Sequence, residues 1–269
     1  MSYKLIVFDI DGTIREPGFE ISNQLKKTVK LLKNMGVSVT LATGRSLQSA
    51  SQFIKELQIN SPIIVSQGSL IWDPGSTSIL REVTMKPTMV KMAIDSLIKH
   101  EVDVLIYLRD KILVSRMSTW ISDYSKRTNI GVEVIGDLNH AINSNPLRIL
   151  GVGEESLISE ISKHLSNQIG SNLYITKSLP MFCEILHPNG GKATALRWLT
   201  NWLNIKLDET IVFANGLEDI EMLKICGFGV SMSGSPVELI RASSLVASPV
   251  KNDGVSKVLK YFLANRKFG

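Results

Sequence analysis

A four-residue apolar run, Leu5–Phe8, ends in two carboxylates, Asp9 and Asp11, with Gly12 and Thr13 directly behind them. A run that is apolar at every position reads as a strand buried inside a sheet. Two carboxylates at the end of such a strand are costly unless something neutralises them. The strand therefore has to end at an edge where a ligand or ion is bound. In open α/β sheets that edge lies beyond the carboxyl ends of the strands.

The chain around this run alternates in the manner such a sheet requires. Residues 22–35 read as an amphipathic helix with Leu25, Val29 and Leu32 on one face, Ser22 or Asn23 as N-cap and Gly36 at the C-terminal end. A strand over 37–42, a helix over 47–57 and a strand over 62–66 follow. This β-α-β-α-β order predicts a parallel sheet with helices on its faces. After Trp72 the texture changes to tight returns and mixed elements: strands over 79–83, 103–108, 111–114, 147–152, 173–177 and 182–186, and helices over 88–100, 118–128 and 154–165. Parallel texture resumes with a helix over 192–203, a strand over 210–214, a helix over 217–225 and a last helix near 255–263. The expected fold class is α/β: a Rossmann-like parallel-sheet core with helices on both faces, formed by residues 1–82 and 188–269, plus an inserted α+β cap domain over 83–187.

Composition narrows the partners. Of 269 residues, 44% are hydrophobic, enough for a packed core. No apolar run reaches the roughly 18 residues of a membrane helix, and the N-terminus lacks a signal-peptide pattern, so a soluble cytoplasmic chain without a membrane partner is expected. Cys183 and Cys226 have no metal-ligand spacing, and neither do His100, His140, His164 and His187. The net charge of +5 is dispersed, which argues against nucleic acid and suits a small anionic molecule.

Chemistry concentrates where strands end. Residues two apart in extended backbone point the same way, so Asp9 and Asp11 share a site, and Gly12 lets the turn bring N–H groups near an anion. Mg²⁺ suits such a pair, because it takes a few carboxylate oxygens together with water and phosphate. Thr43-Gly44-Arg45 closes the second strand; the Thr43 hydroxyl and the N–H groups behind it can hold a phosphate, and Arg45 can reach substrate or a neighbouring acid. Lys192, behind Gly190-Gly191, opens a helix at its positive end, a place for a cation only if concentrated negative charge lies nearby. Asn215, Glu218 and Asp219 follow the strand over 210–214.

Together these segments resemble the motifs of the haloacid-dehalogenase-like superfamily, which is dominated by phosphatases, and the resemblance spans nearly the whole chain. It implies that Asp9 is a nucleophile that becomes an aspartyl-phosphate, that Asp11 is first general acid and then base, and that Lys192 neutralises the nucleophile and the transferring group. It places Mg²⁺ among Asp9, Asp11, Asn215, Glu218 and Asp219, and the phosphate on Thr43, Gly44, Arg45 and Asn252. The chain departs from the family in having Ala214-Asn215 where Gly-Asp is usual and Glu218-Asp219 where Asn-Asp is usual. One charge moves from 215 to 218, so Glu218 is expected to take up part of the metal role. Gln67 stands where the family has Asn.

The insert resembles the type IIB cap of Cof-type sugar phosphatases. It implies a Mg²⁺-dependent phosphatase for a small phosphorylated metabolite, with sugar phosphates favoured. Glu184, His187, Asn189 and Arg109 are candidate specificity residues. A phosphosugar mutase shares the Asp pair and the cap, and a degenerate member would bind a phosphorylated ligand without turnover; both stay open on sequence alone.

Overall fold

In a computed structural model of the chain, which describes residues 2–169 and 172–268, the first strand occupies the interior. β1 (Leu5–Phe8) is buried at all four positions and pairs in parallel with β2 (Ser38–Leu41) on one side and β12 (Thr210–Ala214) on the other. The core sheet runs β14-β13-β12-β1-β2, with β13 at Phe228–Met232 and β14 at Leu245–Ala247. Ile6 and Phe8 face the layer of α1 (Asn23–Asn34), α2 (Leu47–Glu56) and α9 (Gly254–Ala264); Leu5 and Val7 face the layer of α6 (Lys192–Leu203), α7 (Ile220–Ile225) and α8 (Val237–Ala242). Burial on both faces is what an all-apolar strand requires, and each large side chain so buried contributes about 1.5–3 kcal/mol.

α1 shows how local sequence sets an element. Ser22 accepts the Leu25 N–H at 3.1 Å as N-cap, and Leu25, Val29 and Leu32 form the buried stripe. The chain turns away through Gly36 at φ +85°.

Beyond β2, an isolated parallel bridge from Ala42 to Ile64 extends the sheet to β3 (Ile63–Val65). The chain then reverses. Ser66 and Gln67 adopt φ of 50° and 56°, Gly68 φ +90°, and β4 (Leu70–Asp73) and β5 (Ser78–Glu82) return antiparallel. β4 was not expected from the sequence, because nothing in its short run announces a reversal made by non-glycine residues.

The cap occupies the stretch between β5 and α6. Its sheet runs β10-β11-β9-β6-β7-β8, antiparallel except for the β7–β8 pair. The strands are β6 (Asp103–Tyr107), β7 (Lys111–Val114), β8 (Gly131–Val134), β9 (Arg148–Val152), β10 (Tyr174–Thr176) and β11 (Phe182–Leu186). One face is covered by α3 (Pro87–Leu97) and α5 (Glu155–Ile169); the other carries Leu105, Tyr107, Leu150 and Phe182, with α4 (Thr119–Thr128) packed beside them. β8 is likewise not expected from the sequence: it is a four-residue edge strand with mostly exposed side chains, and its Val-Glu-Val alternation is too short to mark a strand. The helix expected over 217–225 begins instead as a 3₁₀ turn over Leu217–Asp219 before α7. Among the described residues no helix is long and apolar enough to cross a membrane.

The reversal at Gly68 is pressed against the start of α6. A Cβ at residue 68 would lie 2.3 Å from the Gly191 carbonyl oxygen, and the φ there is one that side chains rarely adopt. Gly68→Ala is expected to destabilise the fold by about 1–3 kcal/mol, lowering the midpoint of thermal unfolding by several degrees. Circular dichroism melts of the two proteins check this; equal midpoints would show that the seam yields freely.

Candidate active site

The carboxyl ends of β1, β2 and β12 meet the cap across a cleft of about 460 Å³. Its floor is built around one ammonium group. Lys192, at the first position of α6, is 1% exposed, and its Nζ lies 2.7 Å from Asp9 Oδ1, 2.8 Å from Asp219 Oδ1 and 3.7 Å from Glu218 Oε1. The buried cation at a positive helix end is thus explained by the charge it faces. Burial alone pushes the Lys192 ammonium toward neutrality, but Asp219, Asp9 and Glu218 outweigh it and hold its pKa well above the usual lysine value. Burial pushes Asp9 up to about 7, against the pull of Lys192. Glu218 is raised well above the usual carboxylate range by burial and then by Asp219.

Three carboxylates share that single ammonium, and their remaining oxygens differ. Asp219 Oδ2 accepts the Gly216 N–H at 3.2 Å, so both its oxygens are engaged. Asp9 Oδ2 lies 3.3 Å and Asn215 Oδ1 3.0 Å from the Thr13 hydroxyl. One hydroxyl has one proton, so Thr13 donates to only one of these two oxygens at a time. Glu218 Oε2 is buried with no partner at all. The Glu218 carboxylate folds back over Gly216, where a Cβ would sit 2.2 Å from Oε2.

Asp11 is placed differently. Arg45 grips it in a fork, Nε to Oδ2 and Nη2 to Oδ1, both at 2.7 Å, and Arg15 reaches Oδ1 at 3.4 Å. Arg45 is itself positioned by Ser49 at 2.8 Å and lies over the Phe53 ring at 4.9 Å. Buried Thr43 accepts the Arg45 N–H through Oγ1 at 3.1 Å, which leaves its own proton for an anion in the cleft. Thr43 and Gly44 both line the cleft.

The structure thus brings together Asp9, Asp11, Thr43, Gly44, Arg45, Lys192, Asn215 and Glu218. It pairs Asp219 with Lys192 and the Gly216 N–H, and the Asp11 carboxylate with Arg45. Asn252 does not line the cleft: it is exposed in a 3₁₀ turn over Val250–Asn252 that leads into α9. Among the cap candidates, Glu184 lines the cleft, whereas Arg109 pairs with Glu82 at 2.7 Å and His187 accepts the Asn189 N–H at 3.0 Å. Thr13, Gln67 and Arg148 line or support the site and were not singled out from the sequence as site residues. For Arg148 a signal existed: a charged residue opening an otherwise apolar strand needs a partner. Among the described residues, no group of three or more His, Cys, Asp or Glu is arranged to hold a metal ion.

Comparison with known proteins agrees with this geometry. A family model for haloacid dehalogenase-like hydrolases matches residues 6–259. A putative phosphatase of Haemophilus influenzae is 24% identical over 262 residues, covering 97% of this chain and 98% of that protein. A 5-amino-6-(5-phospho-D-ribitylamino)uracil phosphatase of Bacillus subtilis is 24% identical over 260 residues, covering 97% and 96%. In fold, the structure of a subclass IIB sugar phosphatase of the same superfamily superposes with a TM-score of 0.84 at 21% identity, covering 96% of this chain and 98% of that one. With a match that runs from the first strand into the last helix and takes in Asp9, Lys192 and Asp219, the chain belongs to the haloacid dehalogenase-like hydrolases.

Proposed function

We propose that this protein is a phosphatase that hydrolyses a small phosphorylated metabolite, with sugar and polyol phosphates as the favoured class, through a phosphoryl group carried on Asp9. The observation that carries the reading is the pairing of buried Asp9 with Lys192 at 2.7 Å, at the carboxyl end of the central strand and opposite the Thr43–Arg45 loop. Relatives across the whole length carry phosphatase names, and two unpaired cysteines suit a reducing cytoplasm.

An Asp9 oxygen attacks phosphorus and the bond from phosphorus to the leaving alcohol breaks. Asp11 supplies the proton that the leaving oxygen needs. Because Arg45 holds both Asp11 oxygens, the pair has to open first, and a phosphate dianion beside Thr43 competes for the same guanidinium. Water then attacks the aspartyl-phosphate and gives its proton to Asp11, releasing inorganic phosphate and restoring the Asp9 carboxylate. Lys192 neutralises charge on Asp9 and on the group in transfer. The cap shuts bulk water out of the cleft.

Mg²⁺ fits the oxygens left short of donors. Asp9, Asn215 and Glu218 would hold it, and when bound it would polarise the phosphoryl oxygens and offset the excess negative charge. Glu218 thereby supplies the anion that Asn215 does not.

Two measurements test these assignments. Phosphate release from a panel of sugar phosphates and p-nitrophenyl phosphate with Mg²⁺ is expected in the native protein and to fall by more than about 10³-fold in Asp9→Asn. Isomerised phosphosugar in place of free phosphate would instead indicate a mutase. Calorimetric titration with Mn²⁺ as well as Mg²⁺, in the absence of substrate, is expected to show affinity falling at least about tenfold in Glu218→Gln and rising in Asn215→Asp. Unchanged affinity in Glu218→Gln would remove Glu218 from the metal site.

A further inference from the structure

The cap surface above Asp9 carries an ion pair that the proposed reaction does not use. Arg148 on β9 and Glu184 on β11 are bonded to each other, with side chains 4% and 1% exposed. In the cap register Arg148 lies opposite Leu186 and Glu184 opposite Leu150, so the two charged side chains are diagonal neighbours on one face of the sheet. Both strands are otherwise apolar or carry small residues, and a buried pair offers little stability over an apolar one. Its presence calls for another account.

Both Glu184 oxygens are occupied. Oε1 accepts from the Gln67 amide at 2.8 Å and from the Ser178 hydroxyl, and Oε2 accepts from Arg148 Nη1. The carboxylate therefore fixes the Gln67 amide: turning it over would set oxygen against oxygen. Gln67 is also anchored from the core side, where its backbone N–H donates to the Thr43 carbonyl at 3.1 Å. Arg148 is held by its guanidinium lying 4.1 Å from the Tyr107 ring centroid.

Two polar atoms of this assembly have no partner. Gln67 Oε1 is a buried acceptor without a donor, and Arg148 Nε a buried donor without an acceptor. Both residues line the cleft that contains Asp9, and both are only 2–4% exposed. Buried polar groups are satisfied in stable states, so a cleft wall that leaves one of each kind open is shaped for something that donates and accepts. A hydroxyl does both. An anion is poorly suited, because the Glu184 charge cancels that of Arg148. Leu150 and Phe182, on the same sheet face and in the same cleft, provide apolar contact for a carbon chain.

We propose that Gln67 and Arg148, positioned by Glu184, form a subsite that reads hydroxyl groups on the leaving alcohol and so selects phosphorylated polyols and sugars over phosphate esters without hydroxyls. The assignment rests on the cleft taking a phosphomonoester, the reading given above.

The experiment compares a pentitol 5-phosphate with n-pentyl phosphate, which has the same chain length and no hydroxyl. For the native enzyme, kcat/KM is expected to favour the pentitol ester by tenfold or more. That ratio is expected to fall about tenfold in Gln67→Met, which keeps volume and loses the acceptor, and to fall in Glu184→Gln, which frees the amide from its orienting charge. A purely structural role lowers both substrates alike and leaves the ratio where it was, which would overturn the assignment. Calorimetric binding of the same two esters to Asp9→Asn, with and without Gln67→Met, reads the preference without turnover. If the native protein releases no phosphate from any ester, yet the binding preference is present and lost with Gln67→Met, the phosphatase reading fails and the subsite stands. Equal binding of the two esters overturns the subsite even if phosphate release is robust. Because the native protein carries the first comparison, a variant that does not fold leaves the test intact.

Discussion

The ammonium of Lys192 is the interaction on which the rest of the site depends. Burying one charge without a partner is prohibitive, and burying three carboxylates is worse. Together the four groups make a cluster that is tolerable only when they converge. They come from the end of β1, the start of α6 and the turn before α7, so the convergence fixes how the two separated parts of the core meet. Lys192 sits directly behind Gly191, whose carbonyl is pressed on Gly68. The same contact that closes the core after the cap therefore places the cation under Asp9. Fold and site are not independent features here: a shift of the seam moves the charge.

Much of this was legible in the sequence, for a physical reason. Residues whose cost is paid locally announce themselves. Asp9 and Asp11 end a strand that cannot be wet, and Lys192 stands at the wrong end of a helix dipole; each is an anomaly visible without coordinates. The alternating core strands and the Ser22-capped helix were equally plain. What the sequence did not reveal depends on partners far along the chain. The pairing of Asp219 with Lys192 and of Asp11 with Arg45 links residues far apart in the chain, and nothing in the spacing of acidic residues could show it. Asn252, close to the site by resemblance, turned out to lie in an exposed turn. In the sequence Gln67 stands out only as a substitution, because its hydrogen-bond partner, Glu184, is remote along the chain.

The seam between core and cap is built on two consecutive non-glycine residues in left-handed backbone. Ser66 and Gln67 both hold left-handed φ, a conformation that costs non-glycine residues energy. The reversal they make sends the chain into β4 and points the Gln67 amide at the cap. A turn of this kind persists where surrounding contacts determine it, and here the Ser66 N–H donates to the Arg45 carbonyl at 2.8 Å and the Gln67 N–H to the Thr43 carbonyl. The loop that presents the proposed phosphate contacts and the residue that reaches the cap are thus one hydrogen-bonded unit.

The exchange of Asn for a charged residue at 215, and of Glu for a neutral one at 218, is best understood from the same electrostatics. A carboxylate at 215 would add its charge next to Asp9 and Thr13. The longer Glu218 side chain instead returns over Gly216 and stops 3.7 Å from Lys192. The number of negative groups around the ammonium is kept, and the added one lies on the lysine side of the cluster. Asn215 keeps an oxygen toward Thr13 at 3.0 Å. A site altered in this way still has a buried oxygen without a partner at Glu218, beside Asp9 and Asn215, which share the single Thr13 hydroxyl. A motif drifting out of use sheds buried charge, because nothing then offsets its desolvation. Here the charge stands at 218 and stays buried beside Lys192.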